Sequence, residues 1–408
     1  MRGNFVLAVL FALFASLAHA GNSAPVPVYT FICNGSGLGP CPNGGRTDSL
    51  ILGSDGNFYG AAQITTWETS LVTGGNVFSL TPAGKFTVLH TFTPGVNKNF
   101  PDGDLPGALI EGPDGNLYGE TTYGGVDGCD GDCGYGVLFR VSRTGTGFQL
   151  VHKFCSQTDC SDGNGPSAMV LGTDGNLYGT TTSGGANYVG TLFRVTPSSG
   201  AYEVVFNFSS TSGGEYPSNL TVGSNGTFYG TSSGSSGELL FNYTPATGAM
   251  TTALLNFPNL SHGSGLALGP NGNLYGFYFV YGVNGVSLFE VEPNGSNLTI
   301  FPFYNTIDGG GSPDGLLLAS DGNFWVANFN GSSTGGYGNI ISLSPTDGSL
   351  LQTISPFGTT SSVGGWPSQL IQATDGTFWG STYIFGDATK GHFALGTVFS
   401  LNEGLPPR

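Results

Sequence analysis

"ALIEGPDGNLYGETTYGG" occupies residues 108–125, and "AMVLGTDGNLYGTTTSGG" nearly repeats it at residues 168–185. Repetition this close within one chain marks one structural unit used several times. The central turn has five further copies: "SDGNFYG" at Asp55, "SNGTFYG" at Asn225, "PNGNLYG" at Asn271, "SDGNFWV" at Asp321 and "TDGTFWG" at Asp375. With Asp114 and Asp174 they make seven, spaced by 59, 60, 51, 46, 50 and 54 residues. Such spacings suit a four-stranded unit with variable loops better than a two-helix repeat.

Each copy reads the same way. A short apolar run such as Leu50 to Leu52 leads into Asp-Gly or Asn-Gly, a pair that adopts the positive φ angles of a tight hairpin. A strand follows at once with two large apolar residues side by side, then a Thr/Ser-rich end. Next come strands like "VLFRV" (residues 137–141) and, after a Pro/Gly turn, "FTVLHTF" (residues 86–92). The adjacent pairs Phe58 and Tyr59, Leu117 and Tyr118, Leu177 and Tyr178, Phe228 and Tyr229, Leu274 and Tyr275, Phe324 and Trp325, and Phe378 and Trp379 point to opposite faces of their strands. Both faces must then be buried, as when blades pack face to face around an axis. After the seventh turn only "GTVFSL" follows, whereas "VPVYTFIC" (residues 26–33) stands ahead of any first strand and reads like a fourth one. The expected fold is therefore all-β, a seven-bladed propeller of four-stranded antiparallel blades, closed by the N-terminal strand so that no edge is left open. With 71 Gly and 9% charged residues, almost no helix is expected.

The "DGNLYGTT…GG…GTLFRVTP" grammar, with "FCSQTDCSDGNGP" at residues 154–166, resembles the Gloeobacter/Verrucomicrobia-type tandem repeat of exported bacterial proteins. The resemblance covers nearly all of the chain after the leader and is sharpest in the second and third repeats. It implies an exported repeat protein and no defined activity. Many members carry a C-terminal anchoring signal; "LNEGLPPR" does not read as one.

Residues 1–20 carry an early Arg2, an apolar run from Phe5 to Leu17 and a small-x-small end at Ala18 and Ala20, the pattern of a secretory signal peptide. Residues 21–408 are then expected to form one secreted, monomeric propeller domain, extracellular or periplasmic. No later stretch approaches the roughly 20 apolar residues of a spanning helix. Export makes the six cysteines informative, and their spacing favours three local disulfides, Cys33 with Cys41, Cys129 with Cys133 and Cys155 with Cys160. Without Arg2 the chain has nine basic against 26 acidic residues, a field that repels nucleic acid and anionic lipid.

The recurring Asp-Gly carboxylates are explained by their turns, since Asn serves equally at two positions. "VDGCDGDCG" gathers Asp127, Asp130 and Asp132 in an oxygen-rich loop that suits calcium, although it lacks the length and terminal Glu of an EF-hand. No other cofactor is expected. His90 and His152 fall in fourth strands where other copies have Tyr29 and Phe206, and read as packing residues. His262 and His392 fall in loops and are the acid/base candidates. Glu111 and Gln372 break an otherwise apolar inner-strand position and read as turn-end groups that water can reach. G-x-S-x-G, H-E-x-x-H, phosphate-loop and C-x-x-C signatures are missing.

Loop aromatics Trp67, Tyr123, Tyr188 and Trp366, with Asp102 and Asp162 in "DG" loops, suit carbohydrate: apolar sugar faces lie on rings and hydroxyls meet polar groups. Inter-blade packing of the same rings is the competing reading. The functional expectation is a non-catalytic binding module whose ligand, a glycan or a protein, meets the loop face. The alternative is a lyase- or hydrolase-type propeller enzyme using a loop-face histidine, by fold analogy with seven-bladed virginiamycin-lyase-type propellers.

Overall fold

The computed structural model describes residues 24–32, 41, 43–63, 74–93, 100–125, 134–234, 237–255, 257, 263–280, 285–301, 313–329, 337–358, 361–384 and 394–408. Its strands form seven antiparallel sheets. Blade 1 runs Gly45–Leu52, Phe58–Gln63, Asn76–Leu80 and Phe86–Thr91. Blades 2 to 6 repeat the order from Asp104–Glu111, Asn164–Leu171, Glu215–Val222, Gly263–Leu268 and Pro313–Leu318. Blade 7 uses Gly365–Pro367, Ile371–Gln372, Phe378–Ile384 and Ala394–Leu401, and its outer strand is the N-terminal Val26–Ile32. That strand pairs antiparallel with Ala394–Leu401, Val26 facing Ser400 and Thr30 facing Thr397, so the ring closes as the repeat count requires. The first strands of blades 1 to 6 touch one another in order, and Ile371–Gln372 of blade 7 touches that of blade 1, so that first strands surround the axis. Among the described residues the single helical element is the 3-10 turn Thr158–Cys160.

The turn motif works through its carboxylate. Asp114 Oδ1 accepts from the Asn116 backbone N–H at 3.2 Å, while Oδ2 accepts from the Asn116 amide at 2.8 Å and the Tyr118 hydroxyl at 2.9 Å. Asp55 and Asp174 repeat all three bonds, and Trp325 Nε1 replaces the hydroxyl at Asp321. Gly115 sits at φ 76, where a side chain would be strained. The motif thus fixes a hairpin and satisfies the polar tip of a ring that is otherwise buried between blades.

The glycine after that ring has a different cause. A Cβ on Gly60 would stand 2.6 Å from the tip of Phe78, and one on Gly380 2.7 Å from the tip of Phe399; Gly119, Gly179, Gly230 and Gly276 meet Phe139, Phe193, Phe241 and Phe289 in the same way. Where Val326 replaces the glycine, the facing third-strand residue is Ile341 instead of phenylalanine. The paired apolar residues do reach both neighbours: Phe58 stacks on Trp379 at 4.0 Å across one seam, and Tyr59 joins Leu117 in the core across the other.

Glu111 and Gln372 also belong to the seams. Glu111 accepts from the Ser54 backbone N–H at 2.7 Å and its hydroxyl at 2.8 Å, with Arg143 at 3.3 Å. Gln372 accepts from the Ser320 N–H at 2.9 Å and is 3% exposed, so it clamps the preceding blade's turn; the expectation that water reaches it does not hold.

Candidate functional site

Loops from the fourth strand of one blade to the first of the next open on the same end of the ring as the loops between second and third strands. At this end the first strands of five blades, those described at this position, begin through a left-handed residue: Arg46, Leu105, Gly165, Tyr216 and Trp366 have φ of 56, 53, 66, 52 and 59. Each stands nine residues before its turn residue, Asp55, Asp114, Asp174, Asn225 and Asp375. Glycine is the least strained choice there, and blade 3 uses it. Arg, Tyr or Trp at such a place costs conformational energy, of order 1 kcal/mol.

On the side of blades 6, 7 and 1 these residues build an aromatic arc. Trp366 stacks on Phe329 at 5.0 Å with planes 29° apart, and Tyr383 lies 5.8 Å from Phe329 and 6.4 Å from Trp366. The Arg46 guanidinium sits 4.8 Å over the Tyr383 ring, and its Nη1 donates to the Tyr383 hydroxyl at 3.4 Å. All four side chains are half-buried, leaving part of each ring facing solvent. On the seam of blades 3 and 4, Tyr188 and Tyr216 are 62% and 51% exposed, both at positive φ, and the Tyr216 N–H donates to the Val189 carbonyl at 2.7 Å. They are the only strongly exposed aromatics among the described residues.

The remaining sequence candidates lie as follows. Tyr123 is half-buried at the end of its strand, opposite Asp104. Asp102 accepts from the Thr93 N–H at 2.9 Å and the Thr93 hydroxyl at 3.0 Å, with His90 Nε2 at 3.4 Å. Asp162 is 1% exposed; it accepts from the Ser156 N–H and hydroxyl at 3.0 and 2.7 Å, and His152 Nε2 lies 3.1 Å away. Both carboxylates thus hold their own loops. His90 stacks on Phe148 at 3.5 Å and His152 on Tyr202 at 3.6 Å, the packing role read from the repeats. Burial lowers the His152 pKa against the opposing attraction of Asp162. Cys155 and Cys160 form a disulfide, and Cys41 is disulfide-bonded too. Trp67, His262, His392, Asp127, Asp130, Asp132, Cys33, Cys129 and Cys133 lie outside the described residues. Among the described residues no three His, Cys, Asp or Glu side chains gather as metal ligands.

Arg46, Tyr216, Phe329 and Tyr383 were not singled out by the sequence, although the nine-residue offset from the turn would have found Arg46 and Tyr216. Two acids in blade 2 complete the picture. Burial pushes Asp104 up to about 6 and Glu120 up to about 7, and Glu120 Oε2 is enclosed without a hydrogen-bond partner.

The profile of the Gloeobacter/Verrucomicrobia repeat matches residues 46–285. A search of the curated proteins returns no match. Similar solved structures include the extracellular domain of a two-component system protein from B. thetaiotaomicron (TM-score 0.54, 11% identity, 89% of this chain and 40% of that one). PorZ, a surface component of the type-IX secretion system of Porphyromonas gingivalis, is comparable (0.55, 14%, 89% and 47%). So is a fungal alcohol oxidase in complex with copper (0.54, 14%, 90% and 79%). The chain spans less than half the length of the first two, and identities this low show a shared fold alone. No helix among the described residues is long and apolar enough to cross a membrane.

Proposed function

The chain belongs to the Gloeobacter/Verrucomicrobia repeat family, and from that premise we propose that it is an exported, non-catalytic glycan-binding propeller whose ligand lies on the loop end of the ring. The observation that carries this reading is the arc of Phe329, Trp366, Tyr383 and Arg46. Its rings offer flat apolar faces to sugar C–H groups, and the guanidinium and phenol offer donors to hydroxyls. A protein ligand would ask for a broader apolar patch than these separated rings provide. Export is supported by the Cys155 to Cys160 disulfide, which belongs to an oxidising compartment, and by the leader pattern of residues 1–20. Two of the similar structures are extracellular or surface proteins.

The test is a glycan array probed with the purified protein and with Trp366→Leu, a change that places at this position the residue blade 2 already carries there. The wild type should bind a subset of glycans, and the variant should lose at least tenfold in affinity with an unchanged melting temperature. Absence of glycan binding by the wild type would end this reading. Repeating the array with chelator checks the calcium reading of Asp127, Asp130 and Asp132.

Two observations favour a second reading, an enzyme of lyase or hydrolase type. His262 stands nine residues before Asn271, the offset that Arg46, Tyr216 and Trp366 share, and Glu120 has the raised pKa of a group that can give and take a proton near neutrality. Turnover of a bound glycan, abolished by His262→Ala, would replace the binding reading with this one.

A further inference from the structure

Tyr188 and Tyr216 flank the seam between blades 3 and 4, and the arc of Phe329, Trp366, Tyr383 and Arg46 is centred on blade 7. In a closed ring of seven, the seam between the third and fourth blades lies directly opposite the seventh. The two groups of rings therefore face each other across the mouth of the axial channel, both on the end where first strands begin. Packed sheets stand about 10 Å apart, so seven blades enclose a ring on the order of 20 Å across, which is the scale of the gap between the groups.

We propose that the ligand is a linear β-linked polysaccharide laid along this diameter, one stretch of sugars seated on the blade 7 arc and another on Tyr188 and Tyr216. The inference rests on the glycan reading above and adds to it the length, direction and number of contact points. Chain length matters because a monosaccharide or disaccharide can touch only one group. A longer chain makes its second contact within one molecule, at the high effective concentration set by the covalent link. A β-linked chain of equatorial sugars is extended and presents flat apolar faces at intervals, which matches two separated ring platforms.

The backbone supports the assignment of Tyr188 and Tyr216. Both are bulky residues held at φ 64 and 52, with more than half of each side chain in solvent, so neither packing nor local conformation accounts for the tyrosine. Glycine fills the equivalent of Tyr216 in blade 3, which makes Tyr188→Gly with Tyr216→Gly a variant whose backbone is relieved and whose core is untouched.

The experiment measures equilibrium affinity for cello- and chito-oligosaccharides of increasing length, from disaccharide to octasaccharide, with the wild type, the double glycine variant and Trp366→Leu. In the wild type, affinity should step up by at least tenfold once the probe reaches across the mouth. The double glycine variant should lose the step, with an unchanged melting temperature. Trp366→Leu should weaken short and long probes alike. Binding that is independent of length, or a length step that survives in the double glycine variant, overturns the proposal while leaving glycan binding itself intact. Wild-type protein that binds no probe of any length overturns the proposal, and the glycan array alone decides whether glycan binding survives.

Discussion

Replacing Ala62 by threonine should stabilise the protein by about 1 to 2 kcal/mol, because it supplies a partner that the equivalent strand ends of blades 3, 6 and 7 have and blade 1 lacks. Thr47, Ala62 and Asn76 lie side by side across the first three strands of that blade. Asn76 is fully buried with neither its Nδ2 nor its Oδ1 partnered. In blades 3 and 7 the residue equivalent to Ala62 is Thr181 or Thr382. These accept from the third-strand N–H of Thr191 and Thr397 at 3.0 and 2.9 Å and share a hydrogen bond with the hydroxyls of the same residues at 2.9 and 3.0 Å. In blade 6, Asn328 donates to Asn339 at 2.7 Å. A bare glycine faces both positions: a Cβ on Gly163 would lie 2.7 Å from Thr181 Cγ2, and one on Gly44 2.7 Å from Ala62 Cβ. For a chain of this size the gain corresponds to about 1 to 3 °C in melting temperature. Calorimetry of the wild type, Ala62→Thr and Ala62→Val separates the causes, since valine adds the same volume without the hydroxyl. Valine matching threonine would refute the hydrogen-bond argument; threonine alone raising the temperature would support it.

Thr47→Pro should add about 1 kcal/mol, read as a higher midpoint in chemical denaturation. Its hydroxyl is buried without a partner, and Pro106, Pro166, Pro217, Pro313 and Pro367 hold the same offset in other blades. The Thr47 carbonyl, which accepts from Ser381 at 2.6 Å, is kept by proline, so a fall in the midpoint would contradict the repeat equivalence. Glu120 sets a pH dependence. Its carboxyl is raised from 4.5 to about 7 by burial, so the folded state holds the proton longer than the unfolded chain. Stability from this group is therefore full at low pH and falls as pH rises from about 4.5 through 7, by up to about 3 kcal/mol. Asp104, raised to about 6, acts in the same direction over a lower window. Glu120→Gln should flatten the loss between pH 5 and pH 8, and an unaltered slope would show that the carboxyl is hydrated in solution.

The fold could be read from sequence because its determinants recur at fixed offsets. The Asp carboxylate that orders each turn, the ring whose hydroxyl or indole N–H it accepts, and the glycine that makes way for a third-strand phenylalanine all follow from one local geometry. The strand missing after Leu401 and the unassigned strand at Val26 point to the same closure. The candidate site obeys the opposite logic. At nine residues before the turn the backbone is left-handed in all five blades described there, while the side chain changes from Arg46 to Leu105, Gly165, Tyr216 and Trp366. No motif can mark such a place, since what distinguishes it is departure from the repeat. Phe329 and Tyr383 were hidden for a related reason: each is an aromatic at a strand end, and whether it packs or faces the mouth depends on the neighbouring blade. Asp102 and Asp162 drew attention as polar loop residues, yet their carboxylates are satisfied by Thr93, Ser156 and the adjacent histidines. A seven-fold ring offers seven equal positions around its mouth, and a linear ligand needs only two of them, opposite one another. Trp366 and Tyr383 at blade 7, with Tyr188 and Tyr216 at the seam of blades 3 and 4, are two opposed ring platforms of the kind such a ligand would use.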